Sequence, residues 1–501
     1  MYFHALFLFK RPFKRLPFFY PCSASGRLFS AAFGGWSEPF GGLFGRLSAA
    51  FQQFMAAVHS VVFQMCSVFF RWHSAVYQMI LAGLSQRAFG QVTNCHLGDL
   101  HAMGQKPCTF LRQVIALCTY PALLDSDQFP EDTKQKARSI LQKLNNGSVG
   151  SYNVFYALNT LPAIVAQFIE RRDGGIACDP KNVIVLNGAT AAVSALTMVV
   201  NNEGPMRTGI MIPVPQYPVY LDAIIMSAAA KVEYYLDEER GWTLNVDNIR
   251  RSLYEARKYC NPKVLCVINP GNPTGRVESR ECIEEVIRLA AEENLLLFAD
   301  EVYQENIFSV GSTFHSFKKV LFEMGPRFSE QIQLMSIYSI SKGLVGECGL
   351  RCGYIEFVNI DPAVFNQLYV LRSLSETNVL GMITMEVLMG PPQPGDPSYD
   401  TFMTEKQGML GALAESARLS VEILNQAPGV HCNPVQGAMY VFPRIHIPER
   451  AVKLAKEPDV LFCHQLLEET GIVVVPGSSF GQAEDTHHIR PPVSPKKTCA
   501  L

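Results

Sequence analysis

Paired cysteines, metal-ligand spacings and an excess of charge of either sign are all missing from this 501-residue sequence. Its fourteen cysteines stand singly, with no CxxC pair. The closest two, Cys348 and Cys352, flank a glycine-containing turn, so a reduced compartment fits better than a disulfide framework. Eleven histidines occur in no HExxH or CxxH spacing, and no metal site is expected. A formal net charge of −2 offers no global attraction to nucleic acid or to an acidic membrane surface. With 48% apolar residues, the chain can bury the cores of one large and one smaller domain.

Acidic residues are scarce in the first ninety positions, where Glu38 stands alone against Lys10, Arg11, Lys14, Arg15, Arg27, Arg46, Arg71 and Arg87. Residues 1–90 read as an atypical leader, either poorly specified or a cleaved targeting segment. The second reading would send the protein to the mitochondrion, with the cytoplasm as the alternative. Leu47 to Phe70 is uncharged and long enough to span a bilayer. Ser48, Gln52, Gln53, His59, Gln64 and Ser67 interrupt it with polar surface, and no membrane helix is expected.

From about Val92 the pattern is that of an α/β protein. Apolar runs predict strands at Asn182–Leu186, Gly209–Pro213, Lys231–Leu236, Val264–Asn269 and Leu295–Asp300. Apolar spacings of three and four predict helices over Ala191–Val200, Val246–Arg257 and Ser279–Glu293, the last with Ser279 as N-cap. Alternation of this kind implies a mainly parallel sheet between helices over residues 91–395, with ligands at the strands' carboxyl ends. A long helix, Thr404 to Gln426, follows the break Pro391–Gly395. Short strands at Val430–Val435, Ala438–Ile445 and Gly471–Pro476 then predict a smaller α+β domain over 396–501.

Unusual residues sit at the predicted strand ends. Val264–Asn269 runs into Pro270-Gly271-Asn272-Pro273-Thr274-Gly275, which is either a tight turn or a device that puts Asn272 at the mouth of the sheet. The next strand closes on Asp300, either a helix N-cap or a buried anion needing a cation. A third ends in Ser339-Ile340-Ser341-Lys342-Gly343, with Arg351 nine positions on. A lysine there is costly unless it has an anionic or covalent partner.

In this order the residues resemble the fold-type I pyridoxal-phosphate (PLP) aminotransferases, specifically the branch that acts on alanine. The likeness runs from about Val92 to Arg490 and includes Gly104–Val114 (GQKPCTFLRQV), Cys266–Gly275 (CVINPGNPTG), Ser341–Gly349 (SKGLVGECG), Cys432–Tyr440 (CNPVQGAMY) and Leu466–Gly477 (LLEETGIVVVPG). It implies a homodimer that converts L-alanine and 2-oxoglutarate to pyruvate and L-glutamate, with small amino acids and 2-oxo acids as its partners. It also implies roles for single residues. Lys342 would bind the cofactor as a Schiff base and move the substrate's proton. Asp300 would hold the pyridine nitrogen, Asn272 and Tyr303 the ring hydroxyl, and Tyr217 would stack on the ring. Gly188, Ala189, Thr190, Ser339 and Arg351 would hold the phosphate, joined by Tyr152 of a neighbouring subunit. Arg490 would grip the substrate carboxylate, with Gly98 above the substrate.

Three departures weigh against full activity. Around Tyr152 the family's glycine-containing turn is replaced by Asn153-Val154-Phe155-Tyr156-Ala157, and Pro162 stands where an arginine is usual. Thr190-Ala191 replaces serine-aspartate in the phosphate turn. After Arg490 come only eleven residues, three of them proline, which predicts no further strand and an arginine without C-terminal support. A PLP-binding protein with little turnover is therefore a second reading, and another PLP activity such as a lyase a third.

Overall fold

The apolar runs of this chain assemble one large sheet whose two faces are both buried. The structure, a computed structural model, describes residues 92–493 apart from 97, 203, 375 and 376. The leader expectations for residues 1–90, and any for 494–501, lie outside the described residues. In chain order the strands are β1 (Thr93–Asn94), β2 (Val183–Leu186), β3 (Thr208–Val214), β4 (Ala230–Tyr235), β5 (Asn261–Ile268), β6 (Leu296–Asp300), β7 (Leu334–Ser339), β8 (Gly353–Val358), β9 (Val430–His431), β10 (Arg444–Ile445), β11 (Ile472–Val473), β12 (Val475–Pro476) and β13 (Ile489–Arg490). The large sheet has the order β2-β8-β7-β6-β5-β3-β4. β4, β3, β5, β6 and β7 pair in parallel, whereas β8 is antiparallel to both β7 and β2. Two reversals leave β2 running the same way as β7, so the carboxyl ends of β2, β5, β6 and β7 share one edge.

Period-two alternation divides each strand between the faces. Ile210 and Ile212, Val264 and Cys266, Leu296 and Phe298, and Met335 and Ile337 face one core. Met211, Leu265, Val267, Leu297 and Ala299 face another. The helix Arg280–Glu293, which links β5 to β6, lays Ile283, Val286, Ile287, Leu289 and Ala290 on that second face. Truncating one such aliphatic to Ala costs about 2–5 kcal/mol. Ser279 caps this helix by accepting from the Cys282 N–H at 3.3 Å, as the sequence predicts. Asn294 ends it in the left-handed conformation, with φ 58°.

Elsewhere the structure corrects the sequence reading. Ala191–Val200 is not one helix: a five-residue helix, Ala189–Val193, passes into the 3-10 turn Ser194–Met198. The long helix begins earlier than predicted and spans Tyr399–Gln426. The C-terminal strands are two residues each. Pro434 and Pro443 cannot donate to a ladder; Val430–His431 pairs with Arg444–Ile445, which also bridges His488. The predicted strand Gly471–Pro476 divides, β11 pairing with β1 and β12 with β13. These short pairs surround a separate apolar cluster that includes Trp242, Phe442, Val474, Phe480 and Ile489.

The residues after Arg490 also depart from expectation. Val441 N–H donates to Pro491 O at 3.2 Å and Val493 N–H to Met439 O at 2.9 Å, with Pro492 opposite Tyr440 between them. Hydrogen bonding in an antiparallel pair alternates, and Pro492 occupies a position where no N–H is called for. Val493 is fully buried. Arg490 is thus followed, as far as Val493, by packed chain.

Candidate functional site

The edge where the parallel strands end opens into a cavity of about 280 Å³. Asp300 closes β6 at its base and is buried. Tyr220 Oη donates to Asp300 Oδ2 at 2.8 Å and Val302 N–H to Oδ1 at 3.4 Å. Burial pushes the Asp300 carboxyl up to about 6, against the smaller opposing pulls of those two donors and of Lys342. Asp300 is therefore a buried acid supported by a phenol. It is not a helix N-cap.

Lys342 lies three residues past β7. Its Nζ donates to Gly98 O at 3.2 Å, lies 3.5 Å from Tyr440 Oη and is 5.8 Å from the centre of the Tyr303 ring. Burial works against the lysine's charge, but Tyr440, Cys348 and Tyr217 outweigh it and raise its pKa. Tyr440 is shifted the opposite way: burial would raise its pKa, and the cations Lys342 and Arg490 lower it. Tyr303 Oη lies 3.5 Å from Tyr440 Oη, joining the three side chains. Gly98 has room for no side chain, since a Cβ would fall 2.0 Å from Tyr440 Oη.

Ala189, Thr190, Ser339, Ser341 and Arg351 also line the cavity. Gly188 adopts φ 80°, and a Cβ there would fall 2.6 Å from Arg351 Nη2, so only glycine lets the guanidinium pack on the turn. Arg351 Nη1 donates to Ser341 Oγ at 3.0 Å and to Cys348 O at 3.1 Å. Ser339 Oγ accepts from Ser341 N–H at 3.2 Å. The helix after Gly188 is too short for a macrodipole argument. What it offers are first-turn N–H groups with no intrahelical acceptor.

Arg490 enters from β13 and is 3% exposed. Its guanidinium lies between the rings of Tyr440, 4.0 Å away, and Phe480, 4.6 Å away. Nη1 donates to Asn272 Oδ1 at 3.2 Å and Nη2 to His96 O at 2.8 Å, while the buried Nε has no partner among the described residues. No carboxylate among the described residues pairs with it. Such a cation is costly unless an anion arrives.

The structure thus brings together Lys342, Asp300, Tyr303, Asn272, Tyr217, Ala189, Thr190, Ser339, Arg351, Gly98 and Arg490 around one cavity, with Gly188 packed behind Arg351. Tyr152 does not line it and is 82% exposed. Its neighbours Val154 and Phe155 are exposed too, while Pro162 is buried in the first turn of the helix Leu161–Arg172, so these bulky replacements do not line the cavity either. The sequence reading missed Tyr440, Tyr220 and Ser341. Tyr440 and Ser341 stand inside quoted motifs, and Tyr220 follows Tyr217 at helical spacing. Among the described residues there is no cluster able to hold a metal ion, and no helix is long and apolar enough to cross a membrane.

A mainly parallel sheet whose strand ends hold a half-buried lysine and a buried acid, with an arginine that has no ion partner among the described residues brought to the same cavity, defines a class. The chain belongs to the class I and II aminotransferases, whose family model matches residues 112–497. It is similar to alanine aminotransferase 2 of Xenopus tropicalis, 57% identical over 82% of this chain and 79% of that protein. It is also similar to alanine aminotransferase 1 of Homo sapiens, 52% identical over 82% of this chain and 84% of that protein. Among solved structures, alanine aminotransferase from Pyrococcus furiosus superposes with a TM-score of 0.63 at 21% identity, covering 81% of this chain and 89% of that one. That likeness shows the shared fold.

Proposed function

We propose that this chain transfers the amino group of L-alanine to 2-oxoglutarate, giving pyruvate and L-glutamate, with pyridoxal phosphate as its cofactor. The observation that carries the reading is the meeting of Lys342, Asp300 and Arg490 in one cavity, in a chain 57% identical to an alanine aminotransferase.

The residues fit the cofactor chemically. Asp300 is a buried carboxyl raised in pKa, with no ion pair among the described residues and only a lesser pull from Lys342, and a protonated pyridine nitrogen would supply its cation. The donors of Thr190, Ser341 and Arg351 suit a phosphate. The cofactor supplies a sink for the electrons left on the substrate's α-carbon when its proton departs. Lys342 Nζ would take that proton from the α-carbon and deliver it to the cofactor's C4′ carbon, steered by Gly98 O and Tyr440 Oη. Arg490 holds the carboxylate common to amino acid and 2-oxo acid, and the unused Nε gives that anion a partner waiting. Asn272 steadies the guanidinium. Tyr217 and Tyr303 wall off water.

A homodimer to which Tyr152 contributes across the interface is part of the same reading, supported by the exposure of that side chain. So is delivery to the mitochondrion, supported by the acid-poor first ninety residues. The decisive experiment loads the purified chain with pyridoxal phosphate and follows pyruvate and glutamate formation. Alanine should exceed aspartate and tyrosine as donor, and no pyruvate above a cofactor-free control would overturn the proposal.

A further inference from the structure

Arg490 has no counter-ion among the described residues, and what holds it is aromatic. Its guanidinium rests on Phe480 on one side and Tyr440 on the other. The edge of Phe442 meets Phe480 with centroids 5.9 Å apart at 80°. The other face of the arrangement is His488, whose ring stacks on Phe442 at 4.7 Å and 5° from parallel, with Trp242 edge-on to both at 5.5 and 5.6 Å. His488 is itself buried. Both of its ring nitrogens have an oxygen partner: Nε2 lies 3.1 Å from Glu238 Oε1 and Nδ1 lies 3.3 Å from Gln482 Oε1. The His488 N–H also donates to Gln482 Oε1, at 3.1 Å, so the amide is held by the backbone it faces. Glu238 is clamped in turn by Arg444, whose Nε lies 3.1 Å from both carboxylate oxygens, and whose Nη2 bonds it as well. These ion partners lower the Glu238 pKa despite its burial.

The anchor spans two parts of the chain. Glu238 stands in the 3-10 turn after β4, at one side of the large sheet, whereas His488 stands two residues before Arg490. In extended chain residues i and i+2 share a face. β13 fixes the Arg490 backbone through Val475 and Pro476, but a two-residue pairing does not fix where so long a side chain points. The geometry points to His488, held by Glu238, as the positioning residue for Arg490: it sets the Phe442–Phe480 wall against which the guanidinium is aimed at a substrate carboxylate. This inference rests on the reading of Arg490 as the carboxylate anchor. Nothing in the chemistry of Lys342 or Asp300 depends on it, so its effect belongs in substrate affinity.

His488→Phe keeps a ring to stack on Phe442 and removes both nitrogen partners, and Glu238→Gln keeps the volume and removes the carboxylate. Both are made in the full chain, with Arg490→Gln as reference. Cofactor uptake is followed by absorbance, and binding of glutarate, a dicarboxylate that cannot react, by calorimetry. Each of the two variants is expected to weaken glutarate by roughly tenfold, the order of one lost charge-assisted hydrogen bond. KM should rise in proportion, with kcat and cofactor uptake within about twofold of the parent. In combination with Arg490→Gln neither should add further loss, because the group they position is gone. If His488→Phe does not fold, Glu238→Gln carries the test alone. Unchanged glutarate binding in a folded variant, or a loss confined to kcat, overturns the role of His488. Arg490→Gln with unchanged glutarate binding would instead sink the reading of Arg490.

Discussion

The strand ends of the large sheet and the C-terminal segment that carries Arg490 solve the same problem by different means. Asp300 and Ser339 end β6 and β7, whose five and six residues are all buried, and each strand is paired on both sides. Backbone register places their side chains. Arg490 ends β13, a two-residue strand with a single partner, and rings on either side of its guanidinium do the aiming. The difference suggests a division of labour. In the proposed reading the groups that would hold the cofactor, Asp300 and Ser339, are fixed by the backbone, while the group that would meet exchangeable substrates is held by packing, which can adjust by small rotations.

That contrast can be broken most severely at the sheet. Asp300→Asn keeps the shape of the base but cannot carry the charge that holds a protonated ring nitrogen. Turnover should fall by several powers of ten, on the order of 4 kcal/mol or more in the barrier, with cofactor still bound and KM little altered. Near-normal kcat in steady-state assays would remove Asp300 from the mechanism.

Tyr440 sharpens the comparison because it belongs to the C-terminal segment yet touches both regions. Tyr440→Phe retains the ring face under Arg490 and deletes the hydroxyl near Lys342 Nζ. We expect kcat to drop roughly tenfold, the order of one hydrogen bond to a charged group, with KM within about twofold. A larger change in KM than in kcat would mean that the hydroxyl aims Arg490 instead.

A smaller effect should appear in the cofactor-free protein. Asp300 has its carboxyl raised to about 6 by burial, against roughly 3.9 in an unfolded chain. The folded state therefore keeps a proton that the unfolded chain releases. The associated stability is full below about pH 4 and is lost as pH rises through about 6, on the order of 3 kcal/mol. Asp222 and Glu301 are raised by burial to about 6 and about 7 and shift stability the same way, so the informative quantity is a difference. Between about pH 4 and about pH 7 the unfolding temperature of Asp300→Asn should fall less than that of the parent. Parallel curves would show that Asp300 is ionised in the folded apoprotein.

The two regions were also unequally legible in the sequence. β5 and β6 stand out because continuous apolar runs end abruptly in Pro270-Gly271 and in Asp300, and the structure moves their bounds by at most three residues. Those runs carried the fold class, and with it the cavity at the strand ends. The C-terminal segment misled because its chain changes partner every two or three residues, so periodicity over Ala438–Ile445 does not report one ladder. Pro491 and Pro492 misled for a different reason: absence of a donor matters only where a donor is needed, and there Pro491 serves as an acceptor. Tyr440 and Tyr220 act through contacts with Lys342 and Asp300 that are made only in three dimensions.

In the proposed reading the strand ends hold the cofactor at Lys342. Loading the full chain with pyridoxal phosphate, reducing it with borohydride and mapping the digest by mass spectrometry tests that claim most directly. A single modified peptide should be found, the one that contains Lys342, and Lys342→Ala should yield none while still retaining weakly bound cofactor. Modification at another lysine, or an adduct that persists in Lys342→Ala, would contradict it.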